Sequence, residues 1–112
     1  MGSGLNHTVV LGDWDDIDAA VIVAARETEM AVERQAAGRD ENRWTRFYLR
    51  TSTDEPVELT MTRLERGPRG LENIEARAKV GRFENAKREA QLIEAVRRRV
   101  KDLAGVEHAP VR

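Results

Sequence analysis

Between Glu72 and Gly81 the chain reads Glu-Asn-Ile-Glu-Ala-Arg-Ala-Lys-Val-Gly. Its apolar side chains Ile74, Ala76, Ala78 and Val80 alternate strictly with Glu75, Arg77 and Lys79. A period of two held over that length belongs to a β-strand with one buried face and one wet face. A composition rich in Ala, Glu, Lys and Arg would by itself suggest a coiled coil. The strand excludes an all-helical chain and makes this a mixed α+β protein.

Two other stretches share the period. From Arg43 to Ser52, Thr45, Phe47, Leu49 and Thr51 point one way, and Trp44, Arg46, Tyr48 and Arg50 the other. From Val57 to Glu65, Val57, Leu59 and Met61 oppose Glu58, Thr60 and Thr62. Gly38 to Asn42, Asp54-Glu55-Pro56 and Gly67-Pro68-Arg69-Gly70 supply the turns. His7 to Gly12 is a short β-rich run. Met30 to Ala36 is compatible with helix continuation, since Ala, Glu, Met and Gln are good formers, but the hairpin partner that follows favours a strand.

Two helices complete the pattern. Asp13 is a suitable N-cap, and Asp15, Asp16 and Asp18 put negative charge at the positive end of the dipole. Ile17, Ala20, Val21, Ala24 and Thr28 then line one face, and the helix ends near Arg26 to Glu29. The second helix spans about Glu84 to Ala104, with Leu92, Ile93, Val96, Val100 and Leu103 as its apolar stripe and Gly105 as its stop. Arg97, Arg98, Arg99 and Lys101 sit toward its negative end. The expected fold is α+β, a two-layer sandwich in the order β-α-β-β-β-β-α. An antiparallel meander sheet would carry both helices on the face bearing Phe47, Leu49, Val57, Leu59, Ile74, Ala76 and Val80.

At 112 residues the chain suits a single domain. Residues 7–104 are its expected extent, with 1–6 a cloning remnant or disordered tail and 105–112 a frayed tail. Met1-Gly2-Ser3-Gly4 has neither the basic nor the apolar part of a signal peptide. Charged residues make up 35% of the chain, yet the net charge is −1, which argues against a nucleic-acid binder driven by bulk charge. Cysteine is absent, so disulfides, thiolate metal sites and a Cys nucleophile are excluded. No apolar run approaches the roughly 18 residues of a membrane span.

Four segments carry a resemblance: Trp14-Asp15-Asp16-Ile17-Asp18-Ala19-Ala20, Glu55-Pro56-Val57, Ala76-Arg77-Ala78-Lys79-Val80-Gly81-Arg82-Phe83 and Leu92-Ile93-Glu94-Ala95-Val96. In order and spacing, over about Val9 to Leu103, the chain resembles a family of small bacterial envelope proteins, mostly lipoproteins, classed as a domain of unknown function. The resemblance implies a periplasmic or envelope location, with membrane contact only through a lipid anchor; if the chain is the full native protein, a cytoplasmic location is expected instead. The chain departs from the family in lacking the lipid-acceptor Cys, and in having Glu84-Asn85 where Gly-Asp is usual. The family brings no catalytic residues.

Catalytic, cofactor and metal motifs are missing. Asp13, Asp15, Asp16 and Asp18 fail as a calcium loop, because Asp18 stands where Gly is required and Ala24 where Glu is, so capping is their expected role. His7 and His108 lie near opposite termini without partners. There is no nucleophile elbow, phosphate loop or dinucleotide fingerprint. Gly67-Pro68-Arg69-Gly70 mimics a nucleic-acid clamp, but joins strands where that clamp joins helices. Phe83 is expected as a core plug under the last helix, and Trp14 as a shield for the end of the first helix or for the first strand.

The face with most to offer carries Trp44, Arg46, Tyr48 and Arg50 on one strand and Arg77 and Lys79 on another. It is open to three interpretations: a solvated face, a protein interface including a homodimer, or a stacking platform for single-stranded nucleic acid. The expected function is a non-enzymatic interaction or structural module of unknown partner, without cofactors. Single-strand binding is the alternative, with nucleic acid disfavoured by the charge balance. An apolar ligand carried between sheet and helices, in room left by Ala20, Ala24, Ala76 and Ala78, is a third possibility.

Overall fold

The computed structural model describes residues 7–37, 43–67, 70–81 and 85–104. Their elements are β1 (His7–Gly12), a 3-10 turn (Trp14–Asp16), α1 (Ile17–Glu27), β2 (Met30–Ala37), β3 (Trp44–Thr51), β4 (Pro56–Arg66), β5 (Glu72–Val80) and α2 (Ala86–Ala104). The order is the expected one. All strands join one antiparallel sheet ordered β1-β5-β4-β3-β2. The expectations for residues 1–6, Gly38 to Asn42, Pro68, Arg69, Phe83, Glu84, Gly105, His108 and the 105–112 tail fall outside the described residues.

The period-two pattern sets the register. Leu49 faces Val57 and Val57 faces Val80; Phe47 faces Leu59 and Leu59 faces Ala78; Thr45 faces Met61 and Met61 faces Ala76. All of these are buried, while Trp44, Arg46, Tyr48 and Arg50 are half-buried. β2 settles the Met30 segment as a strand. A bulge between Val32 and Arg34 breaks its alternation and leaves Glu33 and Arg34 together opposite Tyr48.

The meander runs from β2 to β5, which leaves β1 to close the sheet beside β5. β1 and β2 therefore lie at opposite edges, four strand spacings or about 19 Å apart. The eleven residues of α1 are about 16 Å long, so this helix with its flanking turns suffices to carry the chain across. The helix does not start at Asp13, as its sequence suggested. Asp13 caps the 3-10 turn by accepting the Asp15 N–H at 3.0 Å, and α1 begins at Ile17. At the other end the Thr28 hydroxyl donates to the Ala24 carbonyl at 2.9 Å, and Glu29 leaves the helix with φ 62°.

One apolar cluster unites Ile17, Ala20, Val21, Ala24 and Ala25 of α1, Leu92, Ile93, Ala95, Val96 and Val100 of α2, Val10 of β1, Met30 of β2 and alternate residues of β3, β4 and β5. The helices touch each other, α2 touches β5 and β1, and α1 touches β2. Ala20, Ala24, Ala76 and Ala78 all lie buried within this cluster, where small side chains permit close approach. Leu103 departs from its expected place in the stripe of α2 and is exposed. The last core residue of that helix is Val100, which packs at Gly12 where β1 ends, and Leu103 lies almost a turn beyond.

Glu89 carries no mark in the sequence, yet it is only 1% exposed. Its Oε2 accepts the Val80 N–H at 2.9 Å and pins the end of β5 to the first turns of α2. A carboxylate there replaces the strand partner that this N–H lacks. Asn85 caps the helix, its Oδ1 accepting the Arg88 N–H at 3.2 Å.

Two substitutions test these joints. A Cβ at Gly12 would fall within the Val100 side chain, so Gly12→Ala is expected to lower stability by about 1–3 kcal/mol in urea titration. Glu89→Ala strands the Val80 N–H and is expected to cost about 1–3 kcal/mol. Glu89→Gln, which keeps both the side-chain volume and an acceptor, should lose less; equal losses would show that the charged carboxylate itself, and not packing or an acceptor alone, is what Glu89 provides.

Candidate functional site

The strand side chains that point away from the core form ordered rungs across the sheet. Arg46 faces Thr60, Thr60 faces Arg77, and Arg77 faces His7. In the next rung Arg34 faces Tyr48, Tyr48 faces Glu58, and Glu58 faces Lys79. On the other side Trp44 faces Thr62, Thr62 faces Glu75, and Glu75 faces Val9. All six residues that the sequence nominates, Trp44, Arg46, Tyr48, Arg50, Arg77 and Lys79, thus share one face. Their connecting residues are Glu58, Thr60, Thr62 and Glu75.

Arginines cover the aromatics here. The Arg34 guanidinium lies 4.1 Å from the centroid of the Tyr48 ring, and that of Arg46 lies 5.4 Å from Trp44. Arg46 Nε also donates to Thr60 Oγ1 at 2.9 Å. Arg50 Nε donates to Glu33 Oε2 at 2.9 Å, and this carboxylate holds the guanidinium still more firmly in its charged form. Arg77 pairs with Glu75 of its own strand at 3.1 Å, not across strands. Glu58 and Lys79 face each other without forming an ion pair among the described residues. Local periodicity does not reveal Arg34 and Glu33, because only the bulge brings them together onto Tyr48 and Arg50.

The acidic turn does different work. Asp13 spends its side chain on capping, and among the described residues no three His, Asp or Glu side chains are grouped so as to hold a metal. Burial, then Asp13 and Asp15, hold the Asp16 carboxyl above its usual range. Trp14 is half-buried against the core, with Arg63 at 5.2 Å from its ring. Arg63 in turn grips Glu72 through Nε at 2.9 Å and Nη2 at 2.6 Å. His7 stands exposed at the start of β1. Gly67 closes the β4–β5 connection by donating its N–H to the Leu71 carbonyl at 2.8 Å. No described helix is long and apolar enough to cross a membrane.

No protein-family model matches this chain, and no curated protein matches it.

The raised pKa of Asp16 acts on stability with a definite sign. The folded protein binds the Asp16 proton more tightly than an unfolded chain does, so this group favours folding below its ordinary value of 3.8. That contribution disappears as pH rises through the raised folded value, leaving a carboxylate in a crowded acidic turn. Asp16→Asn is therefore expected to raise the Tm at pH 7 and to lose its advantage below pH 3.8. Thermal melts across that range check the crossover.

Proposed function

We propose that this chain is a non-catalytic interaction module that pairs with a second copy of itself. In this reading both helices cover the sheet face bearing Phe47, Leu49, Leu59 and Val80, as a two-layer sandwich. The opposite face, around Trp44, Arg46, Tyr48 and Arg50, is the contact surface. A bacterial envelope setting belongs to the proposal on the strength of the family resemblance alone.

The arrangement of Trp44, Tyr48 and four arginines on one face is the observation that carries the reading. Trp, Tyr and Arg are the residue types that dominate protein interfaces, because each offers a large contact area with a polar end. The stacked guanidiniums restrain the aromatic rings before binding, which lowers the entropy lost on association. Self-association is favoured over a one-signed partner because both charges are present. In a face-to-face pair, a two-fold axis lying in the interface, between and along β4 and β5, would set Glu58 of one copy against Lys79 of the other, and the reverse. Those two residues form no ion pair within the protomer among the described residues.

Light scattering on the parent and on a Trp44→Ser, Tyr48→Ser double variant tests this. The parent is expected to be a dimer and the variant a folded monomer, with association weakened roughly tenfold or more. A monomeric parent, or a variant that dimerises equally well, overturns the proposal. In either case single-strand binding on the Arg46–Thr60–Arg77 rung is tested next, by affinity that falls steeply with salt.

A further inference from the structure

The chain has two tryptophans, and both line the same cleft of about 250 Å³. Trp14 comes from the 3-10 turn before α1 and Trp44 from the start of β3, positions thirty residues apart in sequence. Asp15 and Asp18 also line the cleft, together with Gln35 and Thr45, and among the described residues none of those lining it is cationic.

We propose that this cleft binds a guanidinium group. An indole attracts a cation through the negative face of its ring, and a planar guanidinium can stack there while its N–H fork meets a carboxylate. Asp15 and Asp18 supply the carboxylates. Asp18 is positioned by Gln35, whose Nε2 donates to Asp18 Oδ1 at 3.1 Å and to Thr45 Oγ1 at 2.9 Å. Thr45 is itself buried and donates to the Ala36 carbonyl at 3.2 Å, so the polar wall is set before a ligand arrives. Asp13 and Asp15 also lie near enough to Asp16 to add to burial in holding its carboxyl above its usual range. Both indoles already accept a guanidinium within the protein, Arg63 at 5.2 Å from Trp14 and Arg46 at 5.4 Å from Trp44. A compact, strongly hydrated ammonium lacks the planar fork and fits this combination less well.

The cleft needs no second copy of the chain, so this inference stands or falls apart from the dimer, although Trp44 serves both. The group could come from a free small guanidine or from an arginine side chain of another protein. Because Trp14 and Trp44 are the only tryptophans, the intrinsic fluorescence of the full chain reports on the cleft directly. Agmatine and the tripeptide acetyl-Gly-Arg-Gly-amide would each be titrated, with the matching citrulline and lysine tripeptides as neutral and ammonium comparisons. Saturable binding is expected, with the citrulline and lysine tripeptides roughly tenfold weaker or worse than the arginine one. Tighter binding of the tripeptide assigns the source to a protein, tighter binding of agmatine to a free guanidine, and equal affinity shows that the guanidinium alone is read. Asp15→Asn and Asp18→Asn together should weaken binding roughly tenfold or more. Asp15→Asn alone, which leaves the Gln35–Asp18 hydrogen bond in place, should give a smaller loss in a protein that circular dichroism shows to be folded. No saturable change, an equal response to citrulline, or unaltered affinity in the folded Asn variants overturns the inference.

Discussion

Everything else in the fold depends on burying one set of alternating side chains in β3, β4 and β5. Phe47, Leu49, Val57, Leu59, Met61, Ile74, Ala76, Ala78 and Val80 form the strand side of the core, and each is nearly inaccessible to solvent. A slip of one residue in β3 would exchange Phe47 and Leu49 for Arg46, Tyr48 and Arg50. Burying two unpaired guanidiniums costs far more than any hydrogen bonds regained, so the register admits no neighbour. The same exclusion gathers the arginines and large aromatics onto the opposite face. The proposed interface is thus a by-product of how the core is specified.

Joints at the sheet's periphery then decide how the helices meet it. Gly12 lets β1 end directly against Val100, and Glu89 ties the last N–H of β5 to α2. Between them they fix α2 at two points along its length. α1 has a different duty, since it carries the chain between the edge strands β1 and β2. Its acidic N-terminal turn lies beside the start of β3, which is how Trp14 and Trp44 come to share a cleft with Asp15 and Asp18. Surface ion pairs such as Arg97 with Glu94 and Arg99 with Glu27 decorate this frame without defining it.

Much of this is legible in the order of residues alone. The strand pattern in β3 to β5, the buried stripe of α2 through Val100 and the sharing of one face by Trp44, Arg46, Tyr48, Arg50, Arg77 and Lys79 all follow from periodicity. Periodicity works there because each element has a wet side and a dry side. It falters at β2, where an edge strand has little to bury and a bulge shifts the phase between Val32 and Arg34. It falters again at Leu103, because a helical stripe does not show where the surface it covers comes to an end. Glu89 is hidden from it, since a charged residue in an amphipathic helix ordinarily signals the wet face.

By itself, the sequence determined the element types, their order and the two faces of the central strands, since these are matters of local period and side-chain chemistry. Only the tertiary structure decided that β1 lies beside β5, that Glu89 turns inward to Val80, that Arg34 stacks on Tyr48 and that two distant tryptophans line one cleft. These are pairings between residues far apart in the chain or displaced by a bulge. Their energies depend on the position of a partner that no local pattern encodes.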